Sequence, residues 1–304
     1  MKLSPLFWPI QLKGNAIYIL DETALPQKIK YIKVTNYQQA CLAIREMKTR
    51  AVGQVTLVFY TFLQALNQRK NLKQVAQAIN ASRPTLPFKV LTDMVLGWEK
   101  RRAPLEKYIL GFLEKLKQAR IKQAQEAAKL IKNNDVILTH CNVSGLMPLI
   151  GDFARKQNKK ISFFVTETRP YLQGSRLTAW ELQRAHFPVT IITDNAVSQV
   201  MSEGKISKVI VGADNLACNR DIANKIGTYQ IAILAKYFKI PFYVLCPPVS
   251  KAKSGKCIRI EIRPDKELLE YRGIRLAPYG VKAYYPAFDI TPRKLITKHI
   301  YLKV

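Results

Sequence analysis

Residues 208–238 have the sequence KVIVGADNLACNRDIANKIGTYQIAILAKYF, and this stretch decides how the chain folds. Its β-branched start, polar middle and amphipathic end predict a strand, a loop and a helix. Gly212 permits backbone conformations that other residues resist, and Asp214 follows it at the end of the predicted strand. Ligands of open α/β sheets bind beside the carboxyl ends of the strands. Asp214 is therefore a candidate residue of a ligand-binding edge.

The helix of this stretch is predicted to begin near residues 225–227. Its first backbone N–H groups and the positive end of its dipole would point into the same crevice, which favours an anionic ligand. A second interpretation stays open, because a carboxylate at a strand end is often only a helix cap or a loop anchor. The local pattern does not choose between the two.

The second half of the chain repeats this order of elements. After residue 134, short apolar runs alternate with helical patterns, which predicts a parallel, doubly wound sheet. The predicted strands cover residues 136–139, 161–166, 189–193, 209–211 and 242–245. The predicted helices cover residues 146–155, 177–185, 196–203 and 226–238.

The first half has a different pattern. Alternating apolar runs and turn residues within residues 1–34 predict a small antiparallel sheet. Helical periodicity begins at Tyr37, breaks at residues 82–87 and ends near residue 132. We therefore expect an α/β protein with two domains. Residues 1–125 would form a mainly helical domain with a small antiparallel β element, and residues 126–304 a Rossmann-like domain with a doubly wound parallel sheet.

Composition restricts the classes of partner. Lys and Arg number 49 and Asp and Glu 21, which gives a formal net charge of +28. Such a charge attracts nucleic acid, anionic membranes or phosphorylated ligands. The lysines are spread along the whole chain without a long basic block or a nucleic-acid-binding motif, which argues against nucleic acid as the main partner.

The cysteines and the apolar runs indicate the compartment. The five cysteines are widely spaced and form no C-x-x-C pair, so neither a disulfide framework nor a zinc site is expected. No N-terminal run resembles a signal peptide, and no apolar run reaches the roughly 18 to 20 residues that a membrane span requires. We expect a cytoplasmic protein with free thiols and without a membrane partner.

Reactive side chains follow the predicted strands. They are His140, Cys141 and Asn142 after the first strand, residues 167–170 with Gln173 and Gly174 after the second, Asp194 and Asn195 after the third, and Asp214 after the fourth. A thiol and a carboxylate at neighbouring strand ends are a plausible proton-transfer pair, which makes Cys141 and Asp214 candidates. Cys141 also precedes a predicted helix, whose N-terminus can lower the pKa of a thiol. The alternative is that Cys141 is a small buried apolar residue.

Other residues carry weaker signals. Arg50, Arg83 and Lys225 could supply positive charge for a phosphate group, although a single cation in so basic a chain is more often a surface residue. We expect His140 to be structural. The sequence has no Walker loop, no G-x-G-x-x-G after a strand and no Ser-His-Asp signature, so no nucleotide cofactor is expected.

Four longer motifs carry a resemblance to a known family. They are THCN at 139–142, TETRPYLQGSRLTAWEL at 166–182, GADNLACNRDIANKIGTYQIAILAK at 212–236 and APYGVKAYYPAFDITPRKLIT at 277–297. These motifs resemble those of the methylthioribose-1-phosphate isomerase family. The resemblance continues more weakly through LDETALP at 20–26, MKTRAVG at 47–53 and SRPT at 82–85. This family shares its fold with ribose-1,5-bisphosphate isomerases and with regulatory subunits of translation initiation factor 2B.

The resemblance implies an aldose–ketose isomerase of methionine salvage that needs no cofactor. It makes Cys141 and Asp214 the catalytic pair, with Asp214 kept protonated by an apolar pocket and Cys141 handling the transfer from C2 by proton or hydride. It assigns the substrate contacts to Arg50, Arg83, Gln173, Asn224 and Lys225. It also implies a homodimer built through the doubly wound domain and a phosphorylated pentose as substrate.

Some positions depart from the family pattern. The chain has Arg50-Ala51-Val52-Gly53 where the methylthioribose enzymes usually have R-G-A-P, and Arg220 where a glycine is common. Arg220 would either reach the pocket and recognise a second anionic group or point to solvent. Three hypotheses therefore stay open: an isomerase of methylthioribose 1-phosphate, an isomerase of ribose 1,5-bisphosphate or 5-deoxyribose 1-phosphate, and a non-catalytic subunit of the translation-factor type.

Overall fold

The computed structural model describes residues 3–83 and 88–304, so most of the predicted break at residues 82–87 lies outside the described residues. The chain forms two compact units. The first unit contains the chain up to Ile121 together with Ser144–Leu146 and Val304, and the second contains Lys122–Val143 and Met147–Lys303. The boundary expected after residue 125 lies a few residues beyond this division, inside the same helix.

The first unit combines a three-stranded antiparallel sheet with helices. The strands β1 (Ile10–Lys13), β2 (Ala16–Leu20) and β3 (Tyr31–Val34) pair in that order. The helices are α1 (Tyr37–Arg45), α2 (Val52–Asn67), α3 (Leu72–Ser82), α4 (Phe88–Lys100) and α5 (Leu105–Ala128), the last of which continues into the second unit. The predicted sheet and helices are confirmed. The helix expected to reach residue 132 ends at Ala128, because the N–H groups of Leu130 and Ile131 bond to carbonyls three residues back.

Side-chain caps and burial explain these helices. Asn36 and Asn71 accept hydrogen bonds from backbone N–H groups at the starts of α1 and α3, which satisfies donors that a helix leaves unpaired. Phe59 and Phe62 of α2 are fully buried. Burying one such side chain stabilises a fold by roughly 1.5 to 3 kcal/mol.

The second unit is built on a six-stranded parallel sheet. The strands are β4 (Asp135–Thr139), β5 (Ile161–Thr166), β6 (Val189–Ile192), β7 (Lys208–Gly212), β10 (Phe242–Cys246) and β14 (Lys298–Tyr301). Their order in the sheet is β14-β10-β7-β4-β5-β6, and each neighbouring pair is parallel. The helices are α6 (Leu146–Arg155), α7 (Ala179–Arg184), α8 (Val197–Ser202), α9 (Thr228–Tyr237) and α10 (Lys266–Leu269). This order confirms the predicted α/β fold with a doubly wound sheet.

The structure adds strands that the sequence pattern did not predict. β14 extends the predicted five-stranded sheet at one edge. Within the predicted loop of residues 212–225, β8 (Asn215–Leu216) and β9 (Ile222–Lys225) pair with each other, and β9 also pairs with β13 (Phe288–Thr291). Between β9 and β13, the chain also forms a small hairpin of β11 (Glu270–Tyr271) and β12 (Ile274–Arg275). Local periodicity missed β9 because its partner β13 lies more than sixty residues later.

The last turns of α5 belong to the second unit. Gln123 is 4% exposed, and its Nε2 donates to the carbonyls of Cys246 and Ile300 at 2.9 and 2.7 Å. These bonds join α5 to the ends of β10 and β14. Among the described residues, none of the helices combines the length and apolar content that crossing a membrane requires.

Asp289 occupies the start of α9. Gly227 precedes the helix at φ +101°, and its N–H donates to Asp289 Oδ2 at 2.7 Å, while Tyr229 N donates to Oδ1 at 3.1 Å. A carboxylate of the chain thus already accepts two of the N–H groups at this helix start, which leaves fewer of them for the anionic ligand expected there. Burial raises the pKa of Asp289 to about 6, even though its two backbone donors favour the charged form.

A buried ion pair lies at the edge of the six-stranded sheet where the strands begin. Lys208 Nζ of β7 is 3.0 Å from Asp135 Oδ2 of β4, and each side chain is 8% exposed. Asp135 also accepts a hydrogen bond from the N–H of Lys132. The pair thus joins two neighbouring strands at their amino ends.

Replacing only the lysine of the Lys208–Asp135 ion pair should destabilise the protein strongly. Lys208→Met leaves Asp135 buried and without its cation, so we expect a loss of about 3 to 5 kcal/mol in the free energy of unfolding, measured by urea denaturation. The control is Lys205→Met, which removes an exposed lysine that pairs with Glu203 and should leave this free energy almost unchanged. Equal effects of the two substitutions would contradict the assignment.

Asp289 should give the stability a specific pH dependence. A carboxyl whose pKa is raised by folding stabilises the fold at low pH, and this contribution is lost as the pH rises from about 4 to about 6. The loss amounts to about 3 kcal/mol, since one pKa unit corresponds to about 1.4 kcal/mol. In Asp289→Asn this component should be missing from unfolding free energies measured across that range. Parallel pH profiles of the two proteins would refute it.

Candidate active site

Three neighbouring strands end beside the candidate site in the second unit. β7 lies next to β4 and β4 next to β5, and all three are parallel. Asp214, Cys141 and the residues that follow Thr166 therefore leave the sheet at the same carboxyl edge. This placement is the one expected for ligand sites in such sheets.

His140 is a structural residue at this edge. It is 2% exposed, its Nδ1 lies 2.6 Å from Thr166 Oγ1, and its Nε2 lies 2.9 Å from the carbonyl oxygen of Ile226. Burial lowers the pKa of His140 to about 4, so the ring is neutral at physiological pH. A carbonyl only accepts, so Nε2 carries the proton and Nδ1 accepts from Thr166. The ring thereby joins the ends of β4 and β5 to the segment that enters α9.

The backbone of Cys141 is held by two threonines. Its N–H donates to Thr168 Oγ1 at 3.0 Å, and its carbonyl accepts from Thr178 Oγ1 at 2.6 Å. Cys141 and Thr168 both adopt φ +63°, in the left-handed region that non-glycine residues seldom occupy. Strained backbone of this kind persists where surrounding contacts enforce it and is common at functional sites.

The side chain after Cys141 strengthens this turn. Asn142 Nδ2 donates to Thr178 Oγ1 at 3.0 Å and to Glu181 Oε1 at 2.9 Å. Cys141 itself is partly exposed. It does not occupy the N-terminus of a helix, because α6 begins only at Leu146, so the expected effect of a helix start on its thiol is not supported.

Asp194 anchors the loop after β5. Its two carboxylate oxygens accept from the N–H groups of Thr168 and Arg169 at 2.7 and 2.6 Å. Burial and the neighbouring charge of Asp194 raise the pKa of Glu167. Gly174 is required in this loop, because a Cβ built there would lie 1.7 Å from the carbonyl oxygen of Thr166. Asp194, expected among the reactive side chains at the strand ends, thus has a structural role.

Gln173 has an unsatisfied acceptor. The residue is 3% exposed, and among the described residues its Oε1 has no hydrogen-bond donor. An unpaired buried amide oxygen is costly, and such groups call for a specific explanation. A ligand hydroxyl would satisfy it.

Asp214 lies in a more open environment than expected. Its N–H donates to the carbonyl of Ala223 at 2.8 Å, which places it at the start of the β8–β9 hairpin. Its side chain is exposed. This exposure does not support the apolar pocket expected around Asp214, which stays a prediction.

Asn224 and Lys225 lie on β9 and are buried. Asn224 is 4% exposed, and its Nδ2 donates to Thr228 Oγ1 at 2.9 Å. Its Oδ1 lies beside Gly212 at the end of β7, since a Cβ built on Gly212 would be 3.9 Å away. Lys225 is 8% exposed, and its Nζ lies 3.5 Å from Tyr285 Oη. Both predicted contact residues thus lie in the second unit, with Asn224 at the carboxyl end of β7.

The two predicted arginines lie in the first unit. Arg50 Nε donates to Glu22 Oε2 at 3.1 Å, and Arg50 N donates to Glu22 Oε1 at 2.9 Å. The side chains of Arg50 and Glu22 are 12% and 5% exposed. Arg83 follows α3, and its Nη1 contacts Met47 Sδ at 3.1 Å. The Glu22–Arg50 pair therefore joins two of the weaker motifs, LDETALP and MKTRAVG.

Arg220 contacts the far edge of the sheet. Its guanidinium carbon lies 5.2 Å from the ring centre of Tyr301 in β14, and its carbonyl oxygen is 2.9 Å from His299 Nε2. β14 is separated from β7 by β10, on the side of β7 away from β4. Of the two expected orientations, reaching a second anionic group beside Cys141 receives no support from this contact.

Several residues that contact or support the predicted site residues were not predicted from the sequence. Thr178 and Glu181 support the Cys141 turn, and Asp289 caps α9. Tyr285 contacts Lys225. All four lie inside the long motifs, so the motifs carried a signal that local patterns did not. Within the described ranges, no group of three or more His, Cys, Asp or Glu side chains is arranged to hold a metal ion.

Comparison with known proteins identifies the family. Residues 32–301 match the model of the Initiation factor 2 subunit family. A methylthioribose-1-phosphate isomerase from Fervidobacterium nodosum is 38% identical, over 98% of this chain and 93% of the relative. The crystal structure of 5-methylthioribose 1-phosphate isomerase from Pyrococcus horikoshii has a TM-score of 0.85 and 27% identity, over 99% of this chain and 93% of that one.

A second solved structure belongs to a protein with a different name. The delta subunit of translation initiation factor eIF-2B from A. fulgidus has a TM-score of 0.82 and 32% identity, over 97% of this chain and 94% of that one. These similarities cover nearly the whole chain. The chain belongs to the methylthioribose-1-phosphate isomerase family, within the initiation factor 2 subunit family.

Proposed function

We propose that this protein is an aldose–ketose isomerase that converts 5-methylthioribose 1-phosphate into 5-methylthioribulose 1-phosphate in methionine salvage. The observation that carries the proposal is the position of Cys141 and Asp214, which follow two neighbouring parallel strands, β4 and β7, at one edge of the sheet. The names of the relatives support the same reaction.

The substrate determines which groups the reaction needs. Its anomeric oxygen carries the phosphate, so the sugar cannot open freely to an aldehyde. An acid must protonate the ring oxygen while the hydrogen on C2 moves to C1. The C2 hydroxyl then loses its proton and becomes a ketone, this proton restores the acid, and the phosphate stays on C1. Asp214 supplies the proton to the ring oxygen. Cys141 either moves the C2 proton or stabilises its direct transfer as a hydride.

The exposure of Asp214 gives the substrate a part in this chemistry. A carboxyl acts as an acid only when it carries a proton, and exclusion of water favours the protonated form. Asp214 is exposed in this chain, so the substrate itself would cover the carboxyl and exclude water from it.

Gln173, Asn224 and Lys225 are the proposed substrate contacts in the second unit. The buried and unsatisfied Oε1 of Gln173 would accept from a sugar hydroxyl. The ammonium group of Lys225 would donate charge-assisted hydrogen bonds to an oxygen of the substrate. Arg50 and Arg83 are proposed as further contacts on the strength of the motifs that contain them.

A non-catalytic role is the second candidate. The family model and the A. fulgidus structure both carry translation-factor names. A regulatory subunit would bind a sugar phosphate or nucleotide without turning it over. Turnover by the purified chain separates the two functions.

The catalytic pair gives the first test. Cys141→Ala and Asp214→Asn should each fold like the parent protein and lose turnover by about 10²- to 10⁴-fold, because proton transfer by a positioned group contributes that much. Circular dichroism checks the fold, and a coupled assay measures kcat. As a control, Cys218→Ala removes an exposed thiol and should retain activity. Near-normal turnover in either site variant would remove that residue from the mechanism.

The substrate gives the second test. The purified protein should be assayed with the 5-methylthio, 5-deoxy and 5-phospho forms of ribose 1-phosphate. We expect the highest kcat/KM for the 5-methylthio form. A preference for another form would keep the isomerase and change its substrate, while no turnover of any form would favour the non-catalytic candidate.

We also propose that the protein forms a homodimer through the second unit. Tyr229, Ile233 and Tyr237 lie four residues apart along α9 and are 40%, 44% and 77% exposed, which gives this helix an exposed apolar face. Light scattering at micromolar concentration should give twice the mass of one chain. A monomer under these conditions would contradict the proposal.

A further inference from the structure

Tyr285 is a buried residue of the second unit. It is 5% exposed, whereas the neighbouring Tyr284 is 77% exposed. The backbone around Tyr285 is fixed on two sides, because Arg263 N donates to the carbonyl of Tyr285 at 2.9 Å and Ile226 N donates to that of Ala287 at 3.1 Å. The second bond attaches this segment directly after Lys225.

Lys225 lies against two aromatic rings. Its Nζ is 3.5 Å from Tyr285 Oη, 5.8 Å from the centre of the Tyr285 ring and 5.0 Å from the centre of the Phe288 ring. Phe288 is the pairing partner of Lys225 between β13 and β9. A cation over an aromatic face is attracted to the ring, and the attraction grows when water is excluded. The two rings therefore restrict the position of the ammonium group.

The phenol of Tyr285 has a defined hydrogen-bonding role. An ammonium group only donates, so Tyr285 Oη accepts from Lys225 Nζ at 3.5 Å. Burial, together with the negative charges of Glu267 and Glu261, raises the pKa of Tyr285, so the phenol keeps its proton.

We propose that Tyr285 is a positioning residue of the isomerase: its hydroxyl holds the ammonium group of Lys225 in the orientation that binds the phosphorylated sugar. The inference rests on the proposed function, because it takes Lys225 as a substrate contact. Tyr285 acts through Lys225, and the reaction itself does not pass through the phenol.

Tyr285→Phe tests the role of the hydroxyl while keeping the ring. One hydrogen bond to a charged group is removed, so we expect KM for 5-methylthioribose 1-phosphate to rise about 10-fold, with a smaller fall in kcat. The matched control is Tyr284→Phe, which makes the same chemical change at the exposed neighbour and should leave both constants unchanged. Equal KM values for Tyr285→Phe and the parent protein would overturn the proposal.

A double-mutant cycle separates positioning from a general structural role. In a Lys225→Met background, Tyr285→Phe should have little further effect on KM, because the group that it orients is gone. Additive effects of the two substitutions would overturn the proposal, since they would show that Tyr285 acts independently of Lys225.

A binding measurement keeps this test separate from the proposed activity. Calorimetry in a Cys141→Ala background gives the Kd of 5-methylthioribose 1-phosphate without turnover, and Tyr285→Phe should raise this Kd about 10-fold as well. Binding without turnover in the parent protein would refute the isomerase and leave the role of Tyr285 to be judged from Kd. Absence of binding would overturn both proposals.

Discussion

The site in the second unit depends on one buried histidine. The neutral ring of His140 joins three segments that are distant in sequence: its own turn after β4, Thr166 at the end of β5, and Ile226 before α9. Thr166 lies two residues before Thr168, whose hydroxyl accepts the N–H of Cys141. The position of the thiol is thus determined by hydrogen bonds that start at a side chain with no part in the chemistry. The ring stays neutral because burial disfavours its charged form and lowers its pKa.

Carboxylates of the chain itself accept backbone N–H groups at the edge of the sheet where the sequence predicted an anionic ligand. Asp289 accepts the first N–H groups of α9, and Asp194 accepts those of the loop after β5. Both carboxylates come from other strands or from the loops that follow them, so they connect the edge of the sheet and leave fewer free N–H groups for a phosphate. Under the proposed function, positive side chains such as Lys225 supply most of the attraction for the phosphorylated substrate in this unit.

The sequence predicted the parts of the fold that depend on local patterns. Strands β4, β5, β6, β7 and β10 and the helices between them follow from apolar runs of the right length and period. The pairing of β9 with β13 and the addition of β14 depend on contacts between distant residues, which local periodicity does not contain. The same reason explains the site. The topology brings Cys141 and Asp214 to one edge as predicted, whereas the exposure of Asp214 and the roles of Asp289 and Tyr285 depend on where other strands end.

In a chain with so many lysines and arginines, burial distinguishes the cations that have a specific role from those on the surface. Most lysines are spread over an exposed surface, where a single ion pair contributes little to stability. Lys208 and Lys225 are 6% and 8% exposed, and each has a specific environment: a carboxylate for Lys208, and a phenol with a second aromatic ring for Lys225. Asp135 and Lys208 form a buried ion pair where β4 and β7 begin, which is consistent with a structural role. Lys225 lies against a phenol and an aromatic ring that restrict the position of its ammonium group, which fits the proposed binding role.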